Sequence, residues 1–316
     1  MALPDRDDAW RREAVFGNYA ERPLHEAPPM LRIWSYADRL SYAPGETLSL
    51  SVNTNARHFA VEIIRDGLHP QRVFHREGLE GRWRDTPDDC SVTGCGWPVS
   101  LEIQVAESWP SGGYIIRTTA SEAGRGADLH EHFFLVRPQA RGEKASRLLL
   151  IAATATWTAY NDWGGSNHYQ GWCGPAGDRF SPVLSLLRPL ARGFVSLPPE
   201  APRAVLAEDP PIMSEPRYPH MEWAYANGYS KKYMSAGWAS FERHFVCWAE
   251  AEGYAIDIIS QTDLHDRPEL LEGYSTIVMV GHDEYWSWEM RDAVDRFVER
   301  GGRAARFAGN FMWQIR

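Results

Sequence analysis

The hydrophobic period of this chain changes once, across Pro138 to Lys144, and that change separates two kinds of folding unit. Before it, apolar residues alternate with polar ones. Thr47-Leu48-Ser49-Leu50-Ser51-Val52 has a period of two after the turn Ala43-Pro44-Gly45-Glu46, Ser100 to Val105 alternates again, and the runs Ala60 to Ile64, Tyr114 to Thr118 and His132 to Val136 complete the set. Short alternating strands between Pro and Gly turns predict an immunoglobulin-like β-sandwich over 32–137. An irregular lead-in occupies 1–31, where Pro23, Pro28 and Pro29 oppose a helix.

After a linker at 138–146, strands become continuous apolar runs: Arg147 to Ala152, Ala255 to Ile259 and Thr276 to Val280. Such runs suit parallel strands covered on both faces. A helix is predicted over 239–252 with Phe241, Phe245, Trp248 and Ala249 on its buried face. Another is predicted over 288–300, capped by Ser287, ended by Gly301-Gly302 and striped by Met290, Ala293, Val294, Phe297 and Val298. Strand and helix alternation predicts a doubly wound α/β unit over 147–316. It is interrupted at 154–237 by an aromatic, Gly-rich and Pro-rich insertion far beyond ordinary loop length. The chain stops after a fourth apparent strand, so the expected sheet is only partly built: a fragment, or a sheet completed by another chain.

A net charge of -9 over 316 residues offers no basic footprint for nucleic acid or anionic lipid. The N-terminus has no apolar core of a secretory signal, and no run is long enough to span a bilayer, so a soluble cytoplasmic protein is expected. Four cysteines are too scattered for a disulfide framework or a thiolate zinc site, and Cys90 and Cys95 are read as free thiols. The 14 tryptophans point to aromatic-walled pockets or an interface as well as core filling.

Ligands of open α/β sheets bind at the carboxyl ends of the strands. The strand Thr276 to Val280 runs there into Gly281-His282-Asp283-Glu284-Tyr285-Trp286-Ser287, and the first strand of the unit runs into Thr154 to Tyr169. Sheet adjacency is therefore expected to gather Tyr160, Tyr169, His168, His282 and Glu284. Phenolates with a carboxylate form a hard, anionic donor set suited to a strongly Lewis-acidic cation such as ferric iron. Trp157, Asn161, Trp163, His168, Asp283 and Tyr285 fall around the expected pocket, with Asp283 as a turn residue. No Gly-x-Ser-x-Gly elbow is present, and Cys173 lacks the strand-turn-helix setting of a nucleophile.

These segments resemble the large (β) subunit family of N,N-dimethylformamidase. The resemblance rests on Trp157 to Gly165, Ser166 to Tyr169, Thr262 to His265 and Gly281 to Ser287, with Gly94 to Pro98 and Trp109 to Tyr114 in the sandwich. It implies a class I glutamine amidotransferase-like fold and a mononuclear iron held by two tyrosines and one glutamate. By position Tyr160, Tyr169 and Glu284 are the ligands, and His282 is the acid/base. It implies hydrolysis of a small amide such as an N-alkylated formamide, in a homo-oligomer with a small companion subunit. The family's catalytic domain runs beyond the end of this chain, so a residue supplied from there is absent.

Plainer readings exist for each residue. His282 and Glu284 can satisfy a strand-to-helix turn, and tyrosines are commonly core residues with a bonded hydroxyl. Asp263 and His265 fit a turn, and His130 and His132 a surface pair on one strand face. A carbohydrate-binding or non-catalytic assembly module with an aromatic-lined pocket is the alternative function.

Overall fold

The computed structural model describes residues 25–139, 148–169, 181–203 and 219–315. Residues 1–24 of the lead-in, most of the linker, and Cys173 lie outside them. Two β-sheets form the first half. One has the order β1 (Ile33–Ala37), β3 (Thr47–Thr54), β6 (Val99–Gln104); the other runs β2 (Ser41–Tyr42), β8 (Gly126–Val136), β7 (Gly112–Glu122), β4 (His58–Asp66), β5 (Gln71–Glu80). Period-two alternation turns Leu48, Leu50 and Val52 of one sheet toward Val61, Ile63, Ile116 and Phe134 of the other, and these share one core. The β5 edge escapes the pattern because most of it is exposed and polar.

The β7–β8 hairpin is covered on its second face too. Ile115, Phe133 and Leu135 pack into a core shared with the second half of the chain. This two-sided burial overturns the surface reading of His130 and His132, which are 1% and 0% exposed. The His130 ring is bonded on both sides, with Nδ1 3.3 Å from the Ser35 amide and Nε2 3.0 Å from the Leu190 carbonyl. His132 has no hydrogen-bond partner among the described residues, and burial pushes its pKa down to about 3.

The second half is built on a parallel sheet ordered β10 (Ile256–Ser260), β9 (Leu148–Ala152), β11 (Thr276–His282), β12 (Arg303–Gly309). Its alternate residues feed different cores, which is why its strands read as unbroken apolar runs. Leu150, Ile258 and Val278 face the sandwich side; Leu149, Ile259, Ile277 and Met279 face the helix Trp288–Glu299 through Met290, Ala293 and Val294. The sandwich also covers the β10 edge, where Ser111 Oγ accepts the Ile258 N–H at 2.9 Å. Ser287 caps the last long helix as expected, accepting the Met290 N–H.

The preceding helix departs from expectation. It spans Glu242–Ala251 and buries Glu242, Val246 and Ala249, leaving Trp248 51% exposed. Phe241 precedes the helix and packs on Gly281, where a Cβ would stand 2.4 Å from the Phe241 side chain, while Ala249 is buried and Phe245 packs against the core as expected. Among the described residues Trp34, Trp97, Trp157, Trp163 and Trp238 fill the shared core, whereas Trp248, Trp288 and Trp313 are exposed. Trp163 lies 5.9 Å from Trp34 and 5.8 Å from Trp97 between ring centroids, and Phe133 lies 4.8 Å from Trp238. Cys90, Cys95 and Cys247 are free thiols. No helix among the described residues is long and apolar enough to cross a membrane.

Candidate active site

At the carboxyl edge of the parallel sheet, strand alternation separates three consecutive polar residues. Asp283 turns inward with no exposure, and its Oδ1 accepts from Gln261 Nε2 and Trp286 Nε1, both at 2.9 Å. His282 and Glu284 point the other way. Gly281, at φ +80°, permits the turn because the left-handed region and the Phe241 ring both exclude a side chain.

The facing element is the helix Thr154–Tyr160. Its Thr156 Oγ1 accepts the backbone N–H groups of Glu284 at 2.9 Å and Tyr285 at 3.2 Å, which fixes the acidic residue against the helix. One turn later Tyr160 ends the helix, and the loop 161–168 returns the chain to Tyr169. Both phenols donate to one oxygen, Glu284 Oε2, at 3.0 Å from Tyr160 and 2.7 Å from Tyr169. Tyr285 donates in turn to the Tyr169 hydroxyl at 3.0 Å. Burial, with Glu284 beside them, raises both phenols well above the ordinary tyrosine range, so both keep their protons when no cation competes.

His282 completes the group. Its Nδ1 lies 2.7 Å from the Ser235 carbonyl, which can only accept, so that nitrogen carries the proton. Nε2 is then the lone-pair nitrogen. It receives the Asn310 side-chain amide at 3.1 Å and stands 3.4 Å from Glu284 Oε2. Asn310 adopts φ +47° and Met312 φ +55°, left-handed conformations for non-glycine residues that hold this loop under the histidine.

Among the described residues no three His, Cys, Asp or Glu side chains gather as a metal cluster. The convergent donors are instead two phenols and one carboxylate. Oxygens meeting on one point, with two phenol protons between them, fit a hard, highly charged cation that displaces those protons.

A family model for the N,N-dimethylformamidase beta subunit-like, C-terminal region matches residues 64–316. The chain belongs to that family. It is 24% identical over 236 residues to the N,N-dimethylformamidase beta subunit of Alcaligenes sp, a match that takes in 72% of this chain and 29% of that protein. It is 30% identical over 73 residues to the N,N-dimethylformamidase beta subunit of Paracoccus aminophilus, covering 23% of this chain and 10% of that protein. The chain thus aligns with less than a third of the length of either relative.

Within this dimethylformamidase-like frame, not every residue expected around the pocket faces it. Tyr285 does, and His168 stacks beside it with ring centroids 5.1 Å apart. Trp157 and Trp163 are core residues, each 1% exposed. Asn161 is a strut: its amide donates to the Pro189 carbonyl and its Oδ1 accepts from the backbone of Trp163 and Ala191. Asp263 caps its own helix through a reciprocal box with Ser260. His265 bonds the capping Ser287 hydroxyl at 2.8 Å.

Glu242 went unnoticed in the sequence. It lies behind Trp157, 1% exposed, with Oε1 accepting from the Ala153 backbone and the Trp157 indole, while Oε2 has no partner among the described residues. Burial, with Asp283 adding, raises it from 4.5 to about 8. The folded state therefore holds a proton that the unfolded state loses above its ordinary range. This contribution is full below about pH 4.5 and is lost as pH rises through 8. Glu242→Gln is expected to raise stability at pH 9 by on the order of 4 kcal/mol and to change little at pH 5. Urea unfolding at the two pH values measures this; equal effects at both would refute it.

Proposed function

We propose that this chain carries the metal centre of an iron-dependent amidohydrolase acting on a small, N-alkylated amide such as a formamide. The observation that supports it is the meeting of Tyr160 and Tyr169 on Glu284 Oε2 beside a histidine whose lone-pair nitrogen faces the same point. Tyr160, Tyr169 and Glu284 would hold a mononuclear ferric ion, which supplies Lewis acidity to an amide carbonyl and to water. The sandwich is read as immunoglobulin-like and the parallel sheet as part of a glutamine amidotransferase-like domain.

The residues of the chain do the rest. His282 Nε2 accepts a proton as water adds to the carbonyl carbon, and returns it to the departing amine nitrogen, giving an acid and an amine. Ser235 favours the intermediate imidazolium because its carbonyl dipole faces Nδ1–H. Asn310 keeps the ring turned toward Glu284. No protein nucleophile is needed.

Both relatives are named as beta subunits, and we extend to this chain a homo-oligomer with a small companion subunit, in the cytoplasm. A sugar-binding module draws no support from the insertion's Trp157 and Trp163, which are buried and unavailable for stacking. Metal analysis is the test. About one iron per chain, with a visible phenolate-to-iron absorption band, is expected. Protein that stays colourless after ferric iron is supplied would overturn the reading. Amine release from N-alkylated formamides then tests the reaction.

A further inference from the structure

We propose that Lys232 is a positioning residue of the metal centre, a fixed positive charge over both tyrosine rings that sets their strength as donors. The inference rests on the metal reading above. Lys232 Nζ lies 5.6 Å from the ring centroid of Tyr160 and 5.3 Å from that of Tyr169, and the two rings are 4.5 Å apart. A cation over the face of an aromatic ring is attracted by the π-electrons, and far more strongly once the ring carries phenolate charge in a partly desolvated site.

The lysine is held there by the same elements that build the site. Its backbone N–H donates to Ser230 Oγ at 3.0 Å, and that hydroxyl donates to Asp162 Oδ2 at 2.9 Å. Asp162 is buried in the loop that joins Tyr160 to Tyr169. The Lys232 carbonyl accepts from the Ser235 N–H at 2.7 Å, and the Ser235 carbonyl in turn receives His282 Nδ1. One short turn therefore places a charge over the two phenols and fixes the tautomer of the histidine. These backbone bonds fix the turn, and the distances from Nζ to the two rings place the charge.

The measurable consequence lies in the colour of the centre. Phenolate-to-iron absorption moves an electron from the rings to the metal, away from the ammonium charge, and so costs more energy when Lys232 is present. In the full chain reconstituted with ferric nitrilotriacetate, Lys232→Met is expected to shift the band to longer wavelength, and Lys232→Arg to restore it. Lys232→Gln serves as a second neutral variant should the methionine protein fail to fold. A wild-type band that does not move in either neutral variant overturns the role of Lys232 alone. A wild-type protein that takes up no iron overturns the metal reading and this inference with it. A purely structural lysine would alter melting temperature and leave the band in place.

Discussion

Under the proposed metal reading, Glu284→Ala is expected to lose bound iron and to lower amide hydrolysis by on the order of a thousandfold or more, with the fold retained. The side chain is the common acceptor of both phenols, so its removal dissolves the convergence at a stroke. Tyr169, 38% exposed, is then free to turn toward solvent. The backbone of residue 284 keeps its own anchors, with its N–H on Thr156 Oγ1 and its carbonyl accepting from Gln314, which is why folding should survive. Tyr160→Phe should lose iron as well while retaining a similar melting temperature. Glu284→Gln separates charge from shape, since an amide oxygen still accepts phenol hydrogen bonds but brings no negative charge to a cation. Unchanged iron content in Glu284→Ala, or cooperative unfolding of both Glu284→Ala and Tyr160→Phe, would return these residues to a structural role.

Much of this site was legible because it follows from strand geometry. Unbroken apolar runs identify β9, β10 and β11 as parallel strands covered on both faces, and chemistry at such a sheet sits where those strands end. Reading outward from Val280 and from Ala152 therefore reaches Glu284 and Tyr160 without coordinates. Alternation then places His282 with Glu284 and sends Asp283 inward, as its bonds to Gln261 and Trp286 show.

What was not legible depended on contacts distant in the chain. Asn310 follows the fourth strand at the same sheet edge, which was the available signal, but nothing local says that its amide meets His282 twenty-eight residues earlier. Thr156 looks like any helical threonine until the Glu284 N–H is seen on its hydroxyl. Trp157 and Trp163, expected around the pocket, were misplaced for a related reason. Beside Gly and Asn they look like loop residues, yet the loop 161–168 is itself packed between the sandwich and the sheet, so Trp163 is core. His130 and His132 failed the same way, because period two names the face of a strand but not whether a second layer covers it.

The loop joining the two tyrosines shows how far such burial goes, and it makes Arg188 the residue whose loss should be felt most in stability. Arg188 is 1% exposed and donates to four backbone carbonyls. Nε reaches Ser185 at 3.2 Å, Nη2 reaches Asn161 at 3.0 Å, and Nη1 serves both Ser166, at 2.9 Å, and Trp163. Three of these carbonyls belong to the segment between Tyr160 and Tyr169. Burial lowers the guanidinium only to about 10, so the charge persists and is solvated by peptide dipoles in place of water. Arg188→Met keeps much of the volume but strips those carbonyls of their donor. Each buried polar group so orphaned costs about 1–3 kcal/mol, and the loop has no room to rehydrate them all. A loss on the order of 4 kcal/mol is expected, seen as a fall in melting temperature of roughly 10 °C. Lysine cannot substitute, because its three donors do not span the fork that Arg188 fills. The same variant should bind iron weakly even well below its melting temperature, since Tyr169 reaches Glu284 only while this loop holds its path. A melting temperature within about 2 °C of wild type would show that the carbonyls find other partners. Normal iron binding in a destabilised variant would show that the loop shapes the fold without placing the ligand.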